Sequence, residues 1–347
     1  MVVPKSMRAA ILDEIGGPLT VREIPTPRPG PGQVLVRVGA SGLCHSDVHM
    51  RQGAFPGLPK ALPWVMGHEN AGTVADVGPG VNGVEVGERV VVFGGWGCGV
   101  CRLCLAGSEQ LCDLLTWVGI GAPGGYAEYI VVPAARHLVR LTTLDVAVAA
   151  PLSDAALTPY RAVKKTIDRL VPGTTSVSIG VGGLGQFGVQ FLRQLTPSHV
   201  VAIDPMPIRR DRAKALGADD VFDWKDPSLV DNIRDLGVRR GGADVVIDYV
   251  GSDETLELAA SVVGPRGLVV LVGLAGGSAK FSYFGWPAEA TVTYSRWGSI
   301  SDLTEVIAMA EAERLDVLEE TFALEEIEVG FEKLERNEIA GRAVVLP

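Results

Sequence analysis

The sequence predicts an α/β protein, a doubly wound parallel sheet joined to a β-rich domain, on three observations. Short strands set off by Gly and Pro turns fill residues 7–141. Strands and helices then alternate from about residue 175 to residue 272, the pattern that yields a parallel sheet covered on both faces. Beyond Phe284 the pattern changes again, with helices at 301–312 and 330–335 and a last strand at 342–346 placed to return to the first domain. A chain of 347 residues suits roughly two domains, each with its own core.

In the first part, residues 33–38 alternate and residues 70–77 read as a strand around Gly72. Residues 88–93 and 126–132 are rich in Val and aromatics. The connectors, residues 25–32, 78–80 and 83–87, carry turn chemistry. Residues 42–69 open on Gly42-Leu43-Cys44-His45-Ser46-Asp47-Val48-His49 and close on Met66-Gly67-His68-Glu69. Cys44 and His68 are ligand types that zinc prefers, although alone the stretch fits a buried cysteine among unrelated histidines equally well. The other four cysteines, Cys98, Cys101, Cys104 and Cys112, crowd into one loop of that part. Four thiolates at such spacing wrap a tetrahedral ion with no position left open, which marks a structural zinc site. A zinc-ribbon nucleic-acid module would want a second ligand pair and a basic surface, and both are missing.

Texture changes near Val148. A helical run ends near Leu170, and strand 175–179 passes directly into Gly180-Val181-Gly182-Gly183-Leu184-Gly185. Residues 186–195 have helical spacing, and strand 199–203 ends at Asp204. A lone Gly-x-Gly-x-x-Gly is weak, but between a strand and a helix, with a carboxylate closing the next strand, it is the dinucleotide-binding fingerprint. Gly180 makes the turn, Gly182 admits the pyrophosphate, and Gly185 packs helix on strand. Asp204 can accept from the adenosine ribose hydroxyls, which selects NAD over its 2′-phosphorylated form. Arg209 is placed to pair with Asp204 or flank the adenine, or is simply a solvated helix charge. The alternation continues as helix 210–216, strand 221–223, helix 229–236, strand 244–248, helix 254–263 and strand 267–272. Val250, Val272 and Leu274 then lie just past strand ends, where such sheets bind ligands, although locally they read equally well as turns.

These motifs, with the terminal Gly341-Arg342, resemble the zinc-dependent medium-chain alcohol dehydrogenases from near the first residue to Pro347. Some bacterial members that act on secondary alcohols look alike at Asp154. The cysteine spacing and the Cys44/His68 pair separate the chain from the zinc-free quinone reductases of the same superfamily. The resemblance implies a GroES-like catalytic domain at 1–155, with its structural-zinc lobe at about 95–113, a Rossmann domain at 156–294, and a segment 295–347 rejoining the catalytic part. It implies two zinc ions, the catalytic one on Cys44, His68 and a third residue, with Glu69 beside it. Many members carry cysteine at the third place; this chain has Asp154, which keeps the ligand charge and changes donor softness. Asp154 would locally also serve as a helix N-cap. The resemblance further implies that Ser46, the nicotinamide ribose and His49 relay the substrate proton to solvent. His45 and Arg342 would contact the pyrophosphate, and Thr158, Val272 and Leu274 the nicotinamide end. Locally, His49 and Arg342 are also compatible with plain surface charges. Phe55, Trp64, Trp96, Trp117 and Trp297 would line an apolar substrate cleft, or each pack a core.

The expected reaction is NAD-dependent interconversion of small neutral alcohols with aldehydes or ketones by hydride transfer. A polyol or amino-alcohol dehydrogenase of the same family is the rival enzyme, and would want a more polar pocket. A zinc- and nucleotide-binding sensor without activity would leave Ser46, His49 and Glu69 without purpose. The net charge of −10 repels polyanions, which argues against nucleic acid. No run of about 18 apolar residues is present, so no membrane partner is expected. A cytoplasmic protein is expected, and the resemblance implies a homodimer or homotetramer.

Overall fold

The computed structural model describes residues 2–59, 61–236 and 241–347. The chain forms two compact units, Met1–Leu157 with Gly298–Pro347, and Thr158–Trp297.

The first unit begins with β1 (Ser6–Leu12), β2 (Leu19–Pro25) and β3 (Val34–Leu43). Next come α1 (His45–Arg51), β4 (Trp64–Val65), β5 (Glu69–Val77) and β6 (Arg89–Val92). The cysteine lobe holds β7 (Gly95–Trp96), α2 (Arg102–Leu105) and β8 (Thr116–Trp117), followed by β9 (Tyr129–Val132), β10 (Leu138–Arg140) and α3 (Val146–Ala149). A 3-10 turn at Ala150–Ser153 then delivers Asp154.

β3 is the centre of this unit, pairing antiparallel with β5 and β9. It runs beyond the alternating 33–38 stretch because residues 39–42 are all small, and the close approach needs them so. A Cβ on Gly72 of β5 would stand 2.0 Å from the Arg37 carbonyl oxygen, and one on Gly42 would stand 1.9 Å from Glu69 Oε2. The register sets Gly42 opposite Glu69. Cys44, just past the end of β3, and His68, just before β5, therefore emerge at the same end of the sheet.

The second unit contains α4 (Leu157–Lys164), β11 (Thr175–Ile179), α5 (Gly185–Leu195), β12 (His199–Ile203) and α6 (Pro207–Ala215). It continues through β13 (Asp220–Phe222), α7 (Leu229–Asp235), β14 (Ala243–Asp248), α8 (Asp253–Val262), β15 (Val263–Leu271) and β16 (Thr291–Tyr294). Among the described residues its sheet has six parallel strands in the order β13-β12-β11-β14-β15-β16. Strand order reverses between β11 and β14, and the ends of those two strands form the crevice where such sheets take ligands. Val177, Val246 and Val269 pack into the buried cluster of this sheet with Ile233 of α7 and Ala259 of α8.

The chain returns to the first unit as α9 (Ile300–Glu311), β17 (Glu319–Ala323), α10 (Ile327–Glu335) and β18 (Arg342–Leu346). β18 pairs antiparallel with β3, Ala343 opposite Leu43, which brings Arg342 to the sheet end that carries Cys44 and Glu69. Among the described residues no helix is long and apolar enough to cross a membrane.

Candidate active site

Three adjacent strands, β5, β3 and β18, point one end each at the same volume. Cys44, His68, Glu69 and Asp154 have ligand-type atoms that all lie within 4.8 Å of one another. Cys44, His68 and Glu69 are buried and Asp154 is half-buried. Three are the residues expected to hold a catalytic ion, and the fourth is the one expected beside it. His68 Nδ1 donates to Asp47 Oδ1 at 3.1 Å, which leaves Nε2 facing Asp154 Oδ2 at 3.2 Å. Burial opposes a charge on His68, but the Asp47 charge and the hydrogen bonds the ring donates to Asp154 and Asp47 outweigh it and raise its pKa well above the usual imidazole value. A cation binding here would displace the Nε2 proton, and Asp47 on Nδ1 would then leave the Nε2 lone pair facing the carboxylate and the thiol. One histidine, one thiol and one carboxylate, mutually close and with little solvent, fit Zn²⁺ in ligand type and net charge.

Arg342 is no surface charge. Its guanidinium is buried, donating to both Glu69 oxygens at 2.8 and 2.7 Å and to the Leu43 carbonyl at 2.9 Å. Burial pushes the Glu69 pKa up to about 7 against the pull of Arg342. The pair keeps Glu69 tied to the sheet rather than swinging freely into the donor set.

Ser46 and His49 lie in the first two turns of α1, three residues apart and hence on one face. Ser46 is half-buried with Oγ 3.8 Å from Cys44 Sγ; His49 is half-buried and His45 exposed. Phe55, Trp64 and Trp117 pack as partly buried side chains on the cluster containing Leu43, Val48, Met50 and Met66, next to the donor set. Trp96 belongs to a different cluster, with Val36, Val92 and Ile130, and its indole donates to the Phe93 carbonyl at 2.7 Å. It is core, because its polar atom already has a partner inside. Trp297 is buried, closing the second unit at φ 47°.

The four remaining cysteines form a separate closed group with ligand atoms also within 4.8 Å. Cys101 Sγ lies 3.5 Å from Cys104 Sγ and 3.8 Å from Cys112 Sγ, and Cys98 Sγ lies 3.9 Å from Cys104 Sγ. All five cysteines are unbridged thiols. Backbone N–H groups of Val100 and Cys101 bring the Cys98 thiol down to about 6, whereas burial pushes Cys104 up to about 12. A thiol so placed gives up its proton only to a cation, and four of them suit a structural zinc. Glu109 anchors this lobe, accepting from Gly97 N at 3.0 Å, Arg136 Nε at 2.9 Å and His137 Nε2 at 3.0 Å.

In the second unit the glycine loop follows β11 directly. Gly180 has φ 85°, and a Cβ there would stand 2.7 Å from Val250 Cγ2, so the loop and the end of β14 touch. A Cβ on Gly185 would stand 1.8 Å from the Gly180 carbonyl oxygen, which accounts for that glycine. α5 begins at Gly185, where Gln186 N donates to Gly182 O at 3.2 Å and Phe187 N and Gly188 N donate to Leu184 O at 3.0 and 3.1 Å, so what it offers an anion is the positive end of its dipole behind the glycine loop. Asp204 is buried and busier than the sequence suggests. Its carboxylate accepts from Val181 N and Met206 N, each at 2.9 Å, and Arg209 Nη1 lies 3.9 Å away. A Cβ on Gly182 would be 3.8 Å from that same Arg209 nitrogen, so the guanidinium stands over the loop. Thr158 and Val272 are buried, whereas Val250 and Leu274 are exposed.

Two residues of consequence escaped the sequence reading as site members. Asp47 was visible as part of the Cys44 motif, but that its carboxylate orients His68 depends on a contact across 21 positions. Tyr126, 79 positions from Asp47, carried no local signal at all.

Comparison with known proteins agrees with this geometry. Residues 30–143 match the model of the alcohol dehydrogenase GroES-like domain, and residues 183–312 match that of the zinc-binding dehydrogenases. An NAD-dependent alcohol dehydrogenase of Sulfurisphaera tokodaii is 38% identical over 98% of this chain and 100% of its own. A D-arabinose 1-dehydrogenase (NADP(+)) of Saccharolobus solfataricus is 32% identical over 98% of this chain and 97% of its own. The crystal structure of the alcohol dehydrogenase of Aeropyrum pernix superposes with a TM-score of 0.91 at 34% identity, covering 98% of this chain and 100% of that one. With both domain models matched in order and full-length relatives 38% and 32% identical, the chain belongs to the zinc-binding, GroES-like alcohol dehydrogenase family.

Proposed function

We infer that this protein is an NAD- and zinc-dependent alcohol dehydrogenase that interconverts alcohols with aldehydes or ketones. The observation that carries the reading is the mixed donor set of Cys44, His68 and Asp154 with the Ser46 hydroxyl beside it, distinct from a closed four-thiol lobe. Cys44, His68 and Asp154 would hold the catalytic ion, and Cys98, Cys101, Cys104 and Cys112 the structural one. When bound, zinc supplies a Lewis acid that acidifies an alcohol or polarises a carbonyl, and NAD supplies the hydride acceptor.

The residues do the rest. Asp47 holds His68 in the tautomer that presents Nε2. Ser46 Oγ takes the substrate hydroxyl proton, and the nicotinamide ribose and His49 pass it on to water. Phe55, Trp64 and Trp117 keep water from the reacting carbon and favour apolar substrates. The glycine loop and the start of α5 hold the pyrophosphate, and Asp204 accepts from the adenosine ribose. Arg342, held by Glu69, fixes that carboxylate beside the donor set and would also offer a charge to the pyrophosphate.

The test is nicotinamide absorbance across primary, secondary and aryl alcohols with NAD and with NADP, before and after chelation. Turnover of secondary or aryl alcohols with NAD, lost on chelation and restored by zinc, is the expected result. No alcohol-dependent reduction by metal-replete protein would overturn it. The sugar-oxidising relative favours a polyol alternative, which the same panel tests by including pentoses. We also propose a cytoplasmic setting, in which four clustered thiols stay reduced for metal, and a homo-oligomer joined at the β16 edge.

A further inference from the structure

We propose that Tyr126 is a positioning residue of the catalytic donor set, a single side chain that fixes both of the segments bearing Cys44 and His68; the inference rests on reading those residues as metal ligands. Tyr126 is fully buried, and its hydroxyl lies 2.8 Å from Asp47 Oδ2 and 3.2 Å from the Gly42 carbonyl. A phenol has one proton, and the shorter, charge-assisted contact takes it. Asp47 is itself wholly buried and accepts from three donors. These are the Tyr126 hydroxyl, the Cys44 backbone N–H at 3.1 Å and His68 Nδ1 at 3.1 Å. The carboxylate therefore joins the thiol-bearing turn to the imidazole, and among the described residues Tyr126 is its bond to a third segment.

The ring acts on the same target by packing. Gly67, immediately before His68, has φ 97°, and a Cβ there would stand 2.6 Å from Tyr126 Cδ1 and 2.8 Å from Cε1. The ring thus packs against the backbone that carries His68, and it meets the Phe331 ring edge to face at 6.1 Å. Backbone bonds close the arrangement: Tyr126 N donates to Met66 O at 3.0 Å, and Gly125 N donates to Gly67 O at 2.9 Å. Hydroxyl and ring hold one ligand each, through Asp47 and through Gly67. Partners that orient metal ligands typically change metal affinity or activity by about 10–100-fold when removed.

The test compares the zinc-loaded wild type with Tyr126→Phe, Asp47→Asn and the double variant. Tyr126→Phe keeps the ring and removes only the hydroxyl, while Asp47→Asn takes the negative charge out of the same contact at its other end. Zinc release to a coloured chelator resolves the two ions, the four-cysteine lobe serving as internal reference. The expected result is release of the first zinc from Tyr126→Phe about tenfold faster or more, with the lobe's zinc unchanged. The double variant should be no worse than Asp47→Asn, because the hydroxyl acts through that carboxylate. The visible spectrum of the cobalt-substituted Tyr126→Phe protein should also shift. Wild-type release rates in Tyr126→Phe, additive losses in the double variant, or equal acceleration at both sites with a lowered melting temperature would each overturn the proposal. A wild type that holds zinc only in the lobe would overturn the metal-ligand reading, and the proposal with it.

Discussion

Ser46 and Asp204 show how much one side chain is asked to do. Ser46 Oγ sits 3.8 Å from Cys44 Sγ on the first turn of α1, the only hydroxyl of the Cys44 motif beside the donor set. Ser46→Ala should lower kcat about 100-fold or more, the usual scale for a positioned proton-transfer group. His49→Ala should cost less, since water reaches a half-buried position. Steady-state rates over a pH series check both, and an unaffected Ser46→Ala enzyme would remove the relay. Asp204 carries two duties at once. A carboxylate beside the ribose repels a 2′-phosphate and loses a donor to it, and each 1.4 kcal/mol is about tenfold, so NAD should be preferred by roughly two orders of magnitude. The same oxygens hold the N–H groups of Val181 in the glycine loop and of Met206. Asp204→Ala should therefore weaken NAD itself, by loosening the loop, while Arg209 becomes available to a phosphate. Arg210 is already spent on the Asp204 and Pro205 carbonyls and on Asp223. kcat/KM with both cofactors should show NAD falling and the ratio narrowing; an unchanged ratio would free Asp204 of any part in selectivity.

Elements explain which parts were legible. The β11–α5–β12 unit reads plainly because a buried strand, a glycine loop and an amphipathic helix are each local patterns, and the strand bounds at 175–179 and 199–203 coincide with the structure. α1 was hidden: His45–Arg51 lacks an apolar stripe and is held by Asp47, which accepts from the N–H of Cys44 at its start. β17 was hidden too, since Glu-Glu-Thr-Phe-Ala buries only Phe322 and forms by pairing with β18. The four-cysteine lobe, in contrast, declares itself by spacing, and its metal is its core. Its elements span four residues at most, and Leu105 and Leu114 stand exposed, so little apolar burial holds it. Cys101→Ser should lower the melting temperature and bind one zinc per chain by elemental analysis, whereas Cys44→Ser should keep the fold and lose turnover. Near-normal kcat in Cys44→Ser would contradict the catalytic assignment.

At the scale of the molecule, the two edges of the six-stranded sheet differ, and the proposed homo-oligomer would use one of them. β13 is three residues long and starts on Asp220, the short, charged edge that discourages pairing. β16 is bonded to β15 on one side only, with Val292 and Tyr294 exposed on it and Phe281, Tyr283 and Phe284 exposed on the approach. The Tyr294 carbonyl on this edge accepts from Lys165 Nζ at 2.9 Å, and the rest of such an edge is an aggregation hazard unless something pairs with it. A two-fold axis would set β16 antiparallel to its own copy, continuing the sheet through both chains and covering the aromatics. Alternation identifies the atoms concerned. Ser295 N donates inward to the Leu271 carbonyl, so Val292 and Tyr294, at odd spacing from it, turn their N–H groups outward. Val292→Pro therefore deletes an outward donor and leaves the β15 ladder in place. Light scattering should give a dimer or tetramer for the wild type and a smaller species for Val292→Pro, with NAD binding to the glycine loop retained. A monomeric wild type, or a variant of unchanged mass, would show that the β16 edge is not where copies of this chain meet.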